Sequence, residues 1–282
     1  MTGSGAVLST KPARLALFGR PVHHSLSPLI HQDFARQCGL QVDYALKTCA
    51  DSEFDGALAD FFSTGGLGAN ITLPFKGQAA DCVQQLSPDA AKSGVVNTIT
   101  VAANGQLAGH NTDGAGFVRD LLHRRNFSIH NRTIVVIGAG GAAQGIIPAL
   151  QTENPARLLV ANRSQKRLDA LLRRFSGIET VPLASLPDLP VADLVINATS
   201  LGHKGQSVSV EKNLFGAETV AYDLSYSAAA QPFVRACQKA GAAAVYDGLG
   251  MLVEQAALAF SLWFGKPVST EGVYRRLAGH RS

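Results

Sequence analysis

Three groups of residues in this 282-residue chain have types and spacings that could do chemistry. The first is Gly138, Gly140 and Ala143, spaced G-x-G-x-x-A directly after the apolar run Ile134-Val135-Val136-Ile137. The first glycine permits a tight turn, the second lets backbone approach a pyrophosphate, and Ala143 is small enough for a helix to pack closely on a strand. A helix opening there would present free N–H donors and its positive dipole end. A strand before the turn and a helix-like run after it supply the context that the motif needs, so the stretch reads as a dinucleotide site. The second group, Asn162-Arg163-Ser164-Gln165-Lys166-Arg167, lies some two dozen residues downstream. NAD sites place an acid about 20 residues past the glycines for the ribose 2′-hydroxyl. Here the acid is missing and cations stand in its place, which fits a 2′-phosphate and makes NADP the expected cofactor.

The third group lies nearer the amino terminus. In Gly68-Ala69-Asn70-Ile71-Thr72-Leu73-Pro74-Phe75-Lys76, Asn70 and Thr72 fall on one face of a short strand by the two-residue period. Two polar side chains on a core strand need partners, which loop backbone or a polar ligand would supply. Pro74 ends the ladder and leaves Lys76 at the start of the next helix, where the dipole disfavours a cation. A solvated surface lysine and a functional one both fit that position. Asp113 opens an amphipathic helix through Phe117, Leu121 and Leu122, and serves equally well as a first-turn acid or a functional carboxylate. Ser25-Leu26-Ser27-Pro28 reads as a helix start, with Ser27 as N-cap and Pro28 at the first helical position.

The elements that must position these groups change character along the chain. Strands are expected at 15–19, 44–48, 68–73 and 95–101, the last interrupted by Asn97, with a hairpin turn at Asn104-Gly105. Helices are expected from Pro28 to Cys38 and from Glu53 to Ser63, the second capped by Ser52. From Arg132 onward strand and helix alternate, the pattern of a parallel sheet with right-handed crossovers. Its strands are expected at 158–161, 191–197, 220–224 and 243–246, and a helix at 231–240. The small-residue loop Ala198-Thr199-Ser200-Leu201-Gly202 follows one of these strands, at the carboxyl edge where open sheets bind ligands. A last helix, 251–264, carries Glu254 and Gln255 as polar exceptions to an apolar surface.

Composition bounds the function classes. With 46% hydrophobic residues the chain can fill the cores of two ordinary domains. A net charge of +4, spread along the sequence without a basic tract, gives no support to nucleic-acid binding. No apolar run approaches the ~18 residues of a spanning helix, and the first thirteen residues lack a sustained apolar core, so no membrane partner is expected. Cys38, Cys49, Cys82 and Cys237 are far apart, and the histidines show no ligand spacing. Free thiols in a cytoplasmic protein and no metal are the expectation.

Taken together, the motifs resemble those of the shikimate dehydrogenase family over nearly the whole chain. They are SLSP at 25–28, NITLPFK at 70–76, VVNT at 95–98, NTDG at 111–114 and GAGGAA at 138–143. NRS at 162–164, NATSLG at 197–202, DLSY at 223–226 and DGLGMLVEQ at 247–255 follow in order. The resemblance implies NADPH-dependent, reversible reduction of 3-dehydroshikimate to shikimate, a step toward the aromatic amino acids. It implies Lys76 and Asp113 as the catalytic pair. Ser25, Ser27, Asn70, Thr72, Asn97 and Gln255, with Tyr226 nearby, would hold the substrate. The cofactor set it implies is Gly138, Ala139, Gly140, Gly141, Ala142 and Ala143 for the phosphates, and Asn162, Arg163, Ser164 and Arg167 for the 2′-phosphate. Thr199 and Gly248 complete that set. Ser164 departs from the usual threonine but keeps the hydroxyl. The implied fold is α/β with two domains: an amino-terminal α/β substrate domain, 1–113 completed by helices in 248–282, and a Rossmann-like, doubly wound NADP-binding domain, 114–247.

The chemistry of the residues agrees. Hydride transfer to a ketone leaves an alkoxide that needs positive charge or a proton, and a lysine supplies both. An aspartate beside it would orient the ammonium and relay its proton. Uncharged Ser, Thr and Asn suit a polyhydroxylated acid. Two other readings stand beside this one: a quinate-accepting or related cyclic hydroxy-acid dehydrogenase, and a non-catalytic NADP sensor, which would have lost the Lys-Asp pair that is present here. A monomer or a homodimer is expected.

Overall fold

The computed structural model describes residues 11–279. Most of the apolar-poor amino-terminal stretch and His280 therefore lie outside the described residues. Two six-stranded sheets organise the chain. The first is built from β1 (Ala13–Phe18), β2 (Val42–Lys47), β3 (Gly68–Ile71), β4 (Gln85–Leu86), β5 (Thr98–Val101) and β6 (Leu107–His110), in the order β2-β1-β3-β5-β6-β4. Strands β1, β2 and β3 run parallel, whereas β5 is antiparallel to both β3 and β6. The β5–β6 hairpin turns at Gly105, whose φ of 80° only glycine adopts freely. Around this sheet lie α1 (Ser27–Gln37), α2 (Phe54–Ser63), and the short helices α3 (Gln78–Asp81) and α4 (Pro88–Ser93).

The crossing to the second sheet is α5 (Asp113–Arg119), which continues as one π-helical turn, Asp120–Arg124. The second sheet then contains β7 (Thr133–Ile137), β8 (Arg157–Asn162), β9 (Glu179–Pro182), β10 (Ala192–Asn197), β11 (Phe215–Asp223) and β12 (Ala244–Tyr246). It is wholly parallel, in the order β12-β11-β10-β7-β8-β9. That is the doubly wound dinucleotide order, with its topological switch point between β7 and β10. Ile134 and Val136 bury toward one layer and Val135 and Ile137 toward the other, which explains why this strand reads as a continuous apolar run. Helices α6 (Gly141–Thr152), α7 (Gln165–Arg174) and α8 (Gln231–Ala240) serve the crossovers. The chain returns through α9 (Leu249–Phe264) to the first sheet and closes with α10 (Glu271–Gly279). Phe260 and Val253 of α9 share a core with Ile30 and Phe34 of α1.

Three local expectations need correction. Ser27 is the first residue of α1 and caps nothing; Ser25 Oγ accepts the Ser27 N–H at 3.2 Å instead. Ser52 is likewise not the cap of α2, where the Glu53 carboxylate reaches back to the Ala50 N–H at 2.9 Å. Lys76 lies in a turn ahead of α3 rather than on the helix, so the helix-dipole conflict read from the sequence does not arise. The short edge strands β4 and β9 and the helix α10 carry too little periodicity to be read in advance. Among the described residues no helix is long and apolar enough to cross a membrane, and all four cysteines are free thiols.

Candidate active site

At the centre of the molecule Lys76 Nζ lies 2.5 Å from Asp113 Oδ2. Their side chains are 16% and 7% exposed, so the ion pair is shielded from bulk screening yet reachable from solvent. Each partner is held by its own local structure. Phe75, stacked on Phe54 at 4.5 Å, anchors the turn that presents Lys76, and the Lys76 carbonyl accepts the Val96 N–H at 2.8 Å. On the other side Asn111 Oδ1 accepts the Asp113 N–H at 3.1 Å, the asparagine turn that starts α5. Because Asn111 takes that role, the Asp113 carboxylate is left to face Lys76.

A buried set of amides and hydroxyls surrounds the carboxylate. Asn97 Nδ2 donates to Asp113 Oδ1 at 2.9 Å, to Thr112 Oγ1 at 2.9 Å and toward Gln255 Oε1 at 3.3 Å. Asn97 Oδ1 accepts the Thr112 N–H at 2.9 Å. Asn70 Nδ2 donates to Thr98 Oγ1 and to the Asn97 carbonyl, and Asn70 Oδ1 accepts from Tyr44 Oη at 2.7 Å. Both N–H groups of Asn70 are therefore used inside the protein, and what it can offer a ligand is acceptor capacity on Oδ1. Gln255 spends one N–H on the Leu252 carbonyl and has a second to give. Thr72 is half-buried, its N–H donating to the Phe18 carbonyl at 2.9 Å. Ser25 and Ser27 bring their hydroxyl oxygens to 3.1 Å at the opening of α1. Tyr226 packs, partly buried, against the core that α1 and α9 share.

Tyr44, Thr98, Asn111 and Thr112 belong to this constellation and were not singled out from the sequence. Asn111 and Thr112 carried a signal through the NTDG run that holds Asp113, and Thr98 through the VVNT run that holds Asn97; Tyr44 carried none. Tyr44 also stacks on the fully buried His31, ring centroids 4.8 Å apart. Burial holds the His31 imidazole down at about 3, with Asn70 acting against it, so the ring is neutral. Burial also pushes the Tyr44 phenol far above its ordinary range, opposed by Ser27 beside it, which keeps Tyr44 a donor.

The glycine turn forms the facing wall. Gly138 has φ 116°, and a β-carbon there would meet the Ala198 carbonyl group at 2.9 Å. The turn thus threads the switch point between β7 and β10 as only glycine can. Gly140, by contrast, has open space on its β-carbon side, and Gly141 approaches the Lys76 side chain, with 3.7 Å between its would-be β-carbon and Lys76 Cβ. Ala139 and Ala143 are buried beneath the turn and Ala142 is partly buried. The first N–H groups of α6 have no acceptor within the helix. At the end of β8, Arg163 and Arg167 are exposed and Asn162 Nδ2 donates to the Ser164 carbonyl. Thr199 is fixed by Asn197 Oδ1, which accepts both its N–H and its hydroxyl, while Asn197 Nδ2 donates to Asp223 Oδ2 at 2.8 Å. Burial raises the Asp223 carboxyl to about 7, against the lowering effect of the Ser225 N–H and Asn197. Gly248 passes so close to the Leu224 carbonyl that a β-carbon would fall 2.3 Å from it. Open space over Gly140, helix-start donors without an intrahelical acceptor and exposed guanidinium groups beyond β8 fit a phosphorylated dinucleotide.

A doubly wound dinucleotide half facing a second α/β half that carries a lysine-aspartate pair defines a two-domain, dinucleotide-dependent oxidoreductase. The comparisons with known proteins place it more narrowly. Residues 17–99 match the shikimate dehydrogenase substrate binding domain, 120–219 match shikimate / quinate 5-dehydrogenase, and 248–278 match the shikimate 5′-dehydrogenase C-terminal domain. A curated relative from Aeromonas salmonicida (strain A449), shikimate dehydrogenase (NADP(+)), is 41% identical over 265 residues, covering 94% of this chain and 97% of its own. Among solved structures, an Ael1 enzyme from Pseudomonas putida superposes with a TM-score of 0.85 at 33% identity, over 94% of this chain and 98% of that one. Shikimate 5-dehydrogenase from Thermus thermophilus, solved in complex with NADP(H) and shikimate, gives 0.81 at 33% identity over 93% and 97%. The chain belongs to the shikimate dehydrogenase family.

Proposed function

We propose that this protein is an NADP-dependent oxidoreductase that interconverts 3-dehydroshikimate and shikimate, in the cytoplasm, as a monomer or homodimer. The observation that carries the reading is the Lys76–Asp113 pair at 2.5 Å, set against Gly141 of the cofactor turn. We divide the chain into a substrate domain, 1–113 completed by 248–282, and a cofactor domain, 114–247. NADPH, when bound, supplies the hydride to the ketone carbon. The carbonyl oxygen then gains the negative charge, which the Lys76 ammonium neutralises by electrostatic contact and by giving up one proton, so that ketone, hydride and proton balance to the alcohol. Asp113 holds that ammonium in place through the transfer. In the oxidative direction neutral Lys76 takes the alcohol proton, again beside Asp113.

The remaining roles follow from what each group has left to offer. Ser25 and Ser27 would donate to the substrate carboxylate, and Thr72, Tyr226 and Gln255 would sort the ring hydroxyls with Asn70 accepting; Asn97, whose N–H groups already face Asp113, Thr112 and Gln255, would meet a hydroxyl only by giving up one of these partners. Gly138 through Ala143 would cradle the pyrophosphate, with Thr199 and Gly248 at the carboxyl edge beside it. Asn162, Arg163, Ser164 and Arg167 would hold the 2′-phosphate.

A panel crossing shikimate and quinate with NADP+ and NAD+, followed by reduced-cofactor absorbance, tests this reading. Shikimate with NADP+ is expected to be the preferred pair, and preference for quinate would move the assignment to the quinate-accepting branch. Lys76→Ala is expected to lower kcat at least about a hundredfold while the far-ultraviolet spectrum stays native. Normal turnover by that variant would remove Lys76 from the chemistry, and tight NADPH binding without turnover of either acid would favour the sensor reading.

A further inference from the structure

Asn70 and Asn97 both belong to the proposed substrate contacts, yet they reach each other side chain to side chain only through the hydroxyl of Thr98. Thr98 is fully buried. Its Oγ1 receives Asn70 Nδ2 at 3.1 Å and donates to Asn97 Oδ1 at 3.0 Å. The direction of every bond in this run is set by groups that can act in one sense alone. The Asn97 backbone carbonyl only accepts, so the atom of Asn70 facing it is the amide nitrogen. That leaves Asn70 Oδ1 toward Tyr44, whose hydroxyl must donate to it. At the other end the Thr112 backbone N–H only donates, so the atom of Asn97 facing it is the amide oxygen. Asn97 Nδ2 is then turned to Asp113 Oδ1 at 2.9 Å. The donors run in one sense: Tyr44 to Asn70, Asn70 to Thr98, Thr98 to Asn97, Asn97 to Asp113. Lys76 closes the run on the other carboxylate oxygen. Aligned donors polarise one another, and in a buried setting such a run holds its last acceptor more firmly than isolated pairs would.

We infer that Thr98 is a positioning residue for the Lys76–Asp113 pair, coupling Asn70, which Tyr44 helps to hold, to Asn97 and so tightening the grip of Asn97 on the carboxylate. The inference rests on the reaction proposed above. Thr98 touches neither reacting group; it acts by adding a donor to the Asn97 Oδ1 that the Thr112 N–H has already oriented, which restrains the amide in that orientation. Without Thr98, Asn97 Oδ1 would be held by Thr112 alone, through its N–H and its hydroxyl, while Asn97 Nδ2 divides two N–H groups among Thr112, Asp113 and Gln255. The β5–β6 register pairs Thr98 with His110, which brings the strand end carrying Thr98 and Asn97 alongside the Asn111-Thr112-Asp113 segment.

The test compares Thr98→Val, Thr98→Ser, Tyr44→Phe and the Thr98→Val/Tyr44→Phe double variant with the wild type. Thr98→Val keeps the shape and removes the relay. It is expected to lower kcat about tenfold while KM for NADP+ stays within about twofold, because only the orientation of the pair is lost. Thr98→Ser restores the hydroxyl and is expected to recover kcat to within about threefold of wild type. Tyr44→Phe is expected to cost kcat several-fold in the wild-type background and nothing further once Thr98→Val has cut the chain, the non-additivity of residues acting in series. A substrate-free arm measures acetylation of Lys76 by acetic anhydride, read by peptide mass spectrometry. Thr98→Val and Tyr44→Phe are expected to speed it several-fold as the grip of Asp113 on the ammonium loosens, and Thr98→Ser is expected to match wild type. Thr98→Ser as impaired as Thr98→Val, full additivity with Tyr44→Phe, or unaltered Lys76 acetylation would each overturn the relay. Should Thr98→Val fail to accumulate as folded protein, Tyr44→Phe alone decides, since wild-type kcat and Lys76 acetylation in it overturn the relay. A wild-type enzyme inert toward shikimate would defeat the reaction reading instead, and the acetylation comparison would still judge the relay.

Discussion

Gly145 of α6 faces Asp113 so closely that a β-carbon there would lie 3.3 Å from Asp113 Oδ2, the same oxygen that meets Lys76. The Gly145 carbonyl also accepts Asn111 Nδ2 at 2.8 Å, and Gly114 packs against that carbonyl in turn. The helix that opens at the glycine turn, α6, is thereby pressed against the start of α5, which carries the Asp113 carboxylate. Glycine at 145 leaves the room that the carboxylate occupies.

Gly145→Ala should therefore separate stability from activity. Within a helix, alanine is favoured over glycine by about 0.5–1 kcal/mol, which offsets a small steric displacement. The methyl group would push Asp113 Oδ2 by a few tenths of an ångström, away from the line to Lys76. The melting temperature is expected to stay within about 3 °C of wild type, whereas kcat should fall about tenfold because misplacement of catalytic groups is costly. Wild-type turnover would show that Asp113 moves freely and that Gly145 matters for packing alone.

Cofactor choice should reside in Arg163 and Arg167, which are exposed beyond β8 where an NAD site would carry an acid. Neither has an ion-pair partner among the described residues. Charge-assisted bonds to a phosphate at a solvent-exposed site justify about tenfold in KM each. The double variant Arg163→Ala/Arg167→Ala is expected to raise KM for NADP+ about a hundredfold and to leave KM for NAD+ within about twofold. Steady-state kinetics with both cofactors decides, and an equal rise for the two would detach these arginines from the 2′-phosphate.

What the sequence discloses about this site follows the range of the interactions. The glycine turn, β7 and the cation cluster are local: each needs only its own neighbours in the chain, and Ile134 to Ala143 reads as it folds. From their own neighbours Lys76 and Asp113 could be suspected only singly and the family resemblance alone paired them, because their 2.5 Å contact depends on the β3–β5–β6 register and on Asn111 taking over the start of α5. Serine capping failed as a guide because each helix starts one residue off the expected register: Leu26 and Glu53 stand at the N-cap positions, and neither makes a side-chain cap. Tyr44 and Gly145 could not be picked out in advance, and Thr98 stood in the VVNT motif without a role. A threonine in a strand, a tyrosine in a strand and a glycine in a helix are ordinary until the fold brings them to one carboxylate.

Two buried titrating groups should pull stability in opposite directions with pH. Asp223 has its folded value raised from 3.8 to about 7, so its contribution is fully present below 3.8 and is lost as pH rises through about 7. His31 has its folded value lowered from 6.5 to about 3, so the folded state binds fewer protons than the unfolded one, and stability is lost as pH falls from 6.5 toward 3. Each effect is on the order of a few kcal/mol at most. Urea unfolding from pH 4 to 8 should show Asp223→Asn gaining on wild type as pH rises to about 7 and holding that gain above it. His31→Phe should gain on wild type as pH falls below about 6.5. Parallel pH curves for a variant and the wild type would mean that the replaced group does not change its protonation on folding.

The crossing between the two halves rests on Asp120, which is wholly buried at the start of the π-helical turn. Its carboxylate accepts from Tyr222 Oη at 2.7 Å, Arg124 Nη1 at 2.7 Å and Arg125 Nε at 3.3 Å, joining the crossing helix to β11. Arg124 goes on to Glu254 at 2.9 Å on α9, which also receives Thr270 Oγ1 at 2.7 Å. Gly250 of α9 passes against the same carboxylate, where any β-carbon would fall 1.9 Å from Oδ1. One anion thus ties both chain crossings to the cofactor sheet. Asp120→Asn keeps the shape, yet an amide presents an N–H where a donor already points, removes the carboxylate from Arg125 and leaves Arg124 with Glu254 and Glu271 as its anions. Removing one member of such a network costs about 2–4 kcal/mol, below the value for full burial because the arginines retain some solvent. The melting temperature is expected to fall by about 5–10 °C. Turnover per folded molecule at 25 °C should stay within about threefold, since Asp120 touches none of the groups around Lys76. Calorimetry alongside active-site titration separates the two. A melting temperature equal to wild type would show that the arginines find other anions and that the crossing does not depend on this carboxylate.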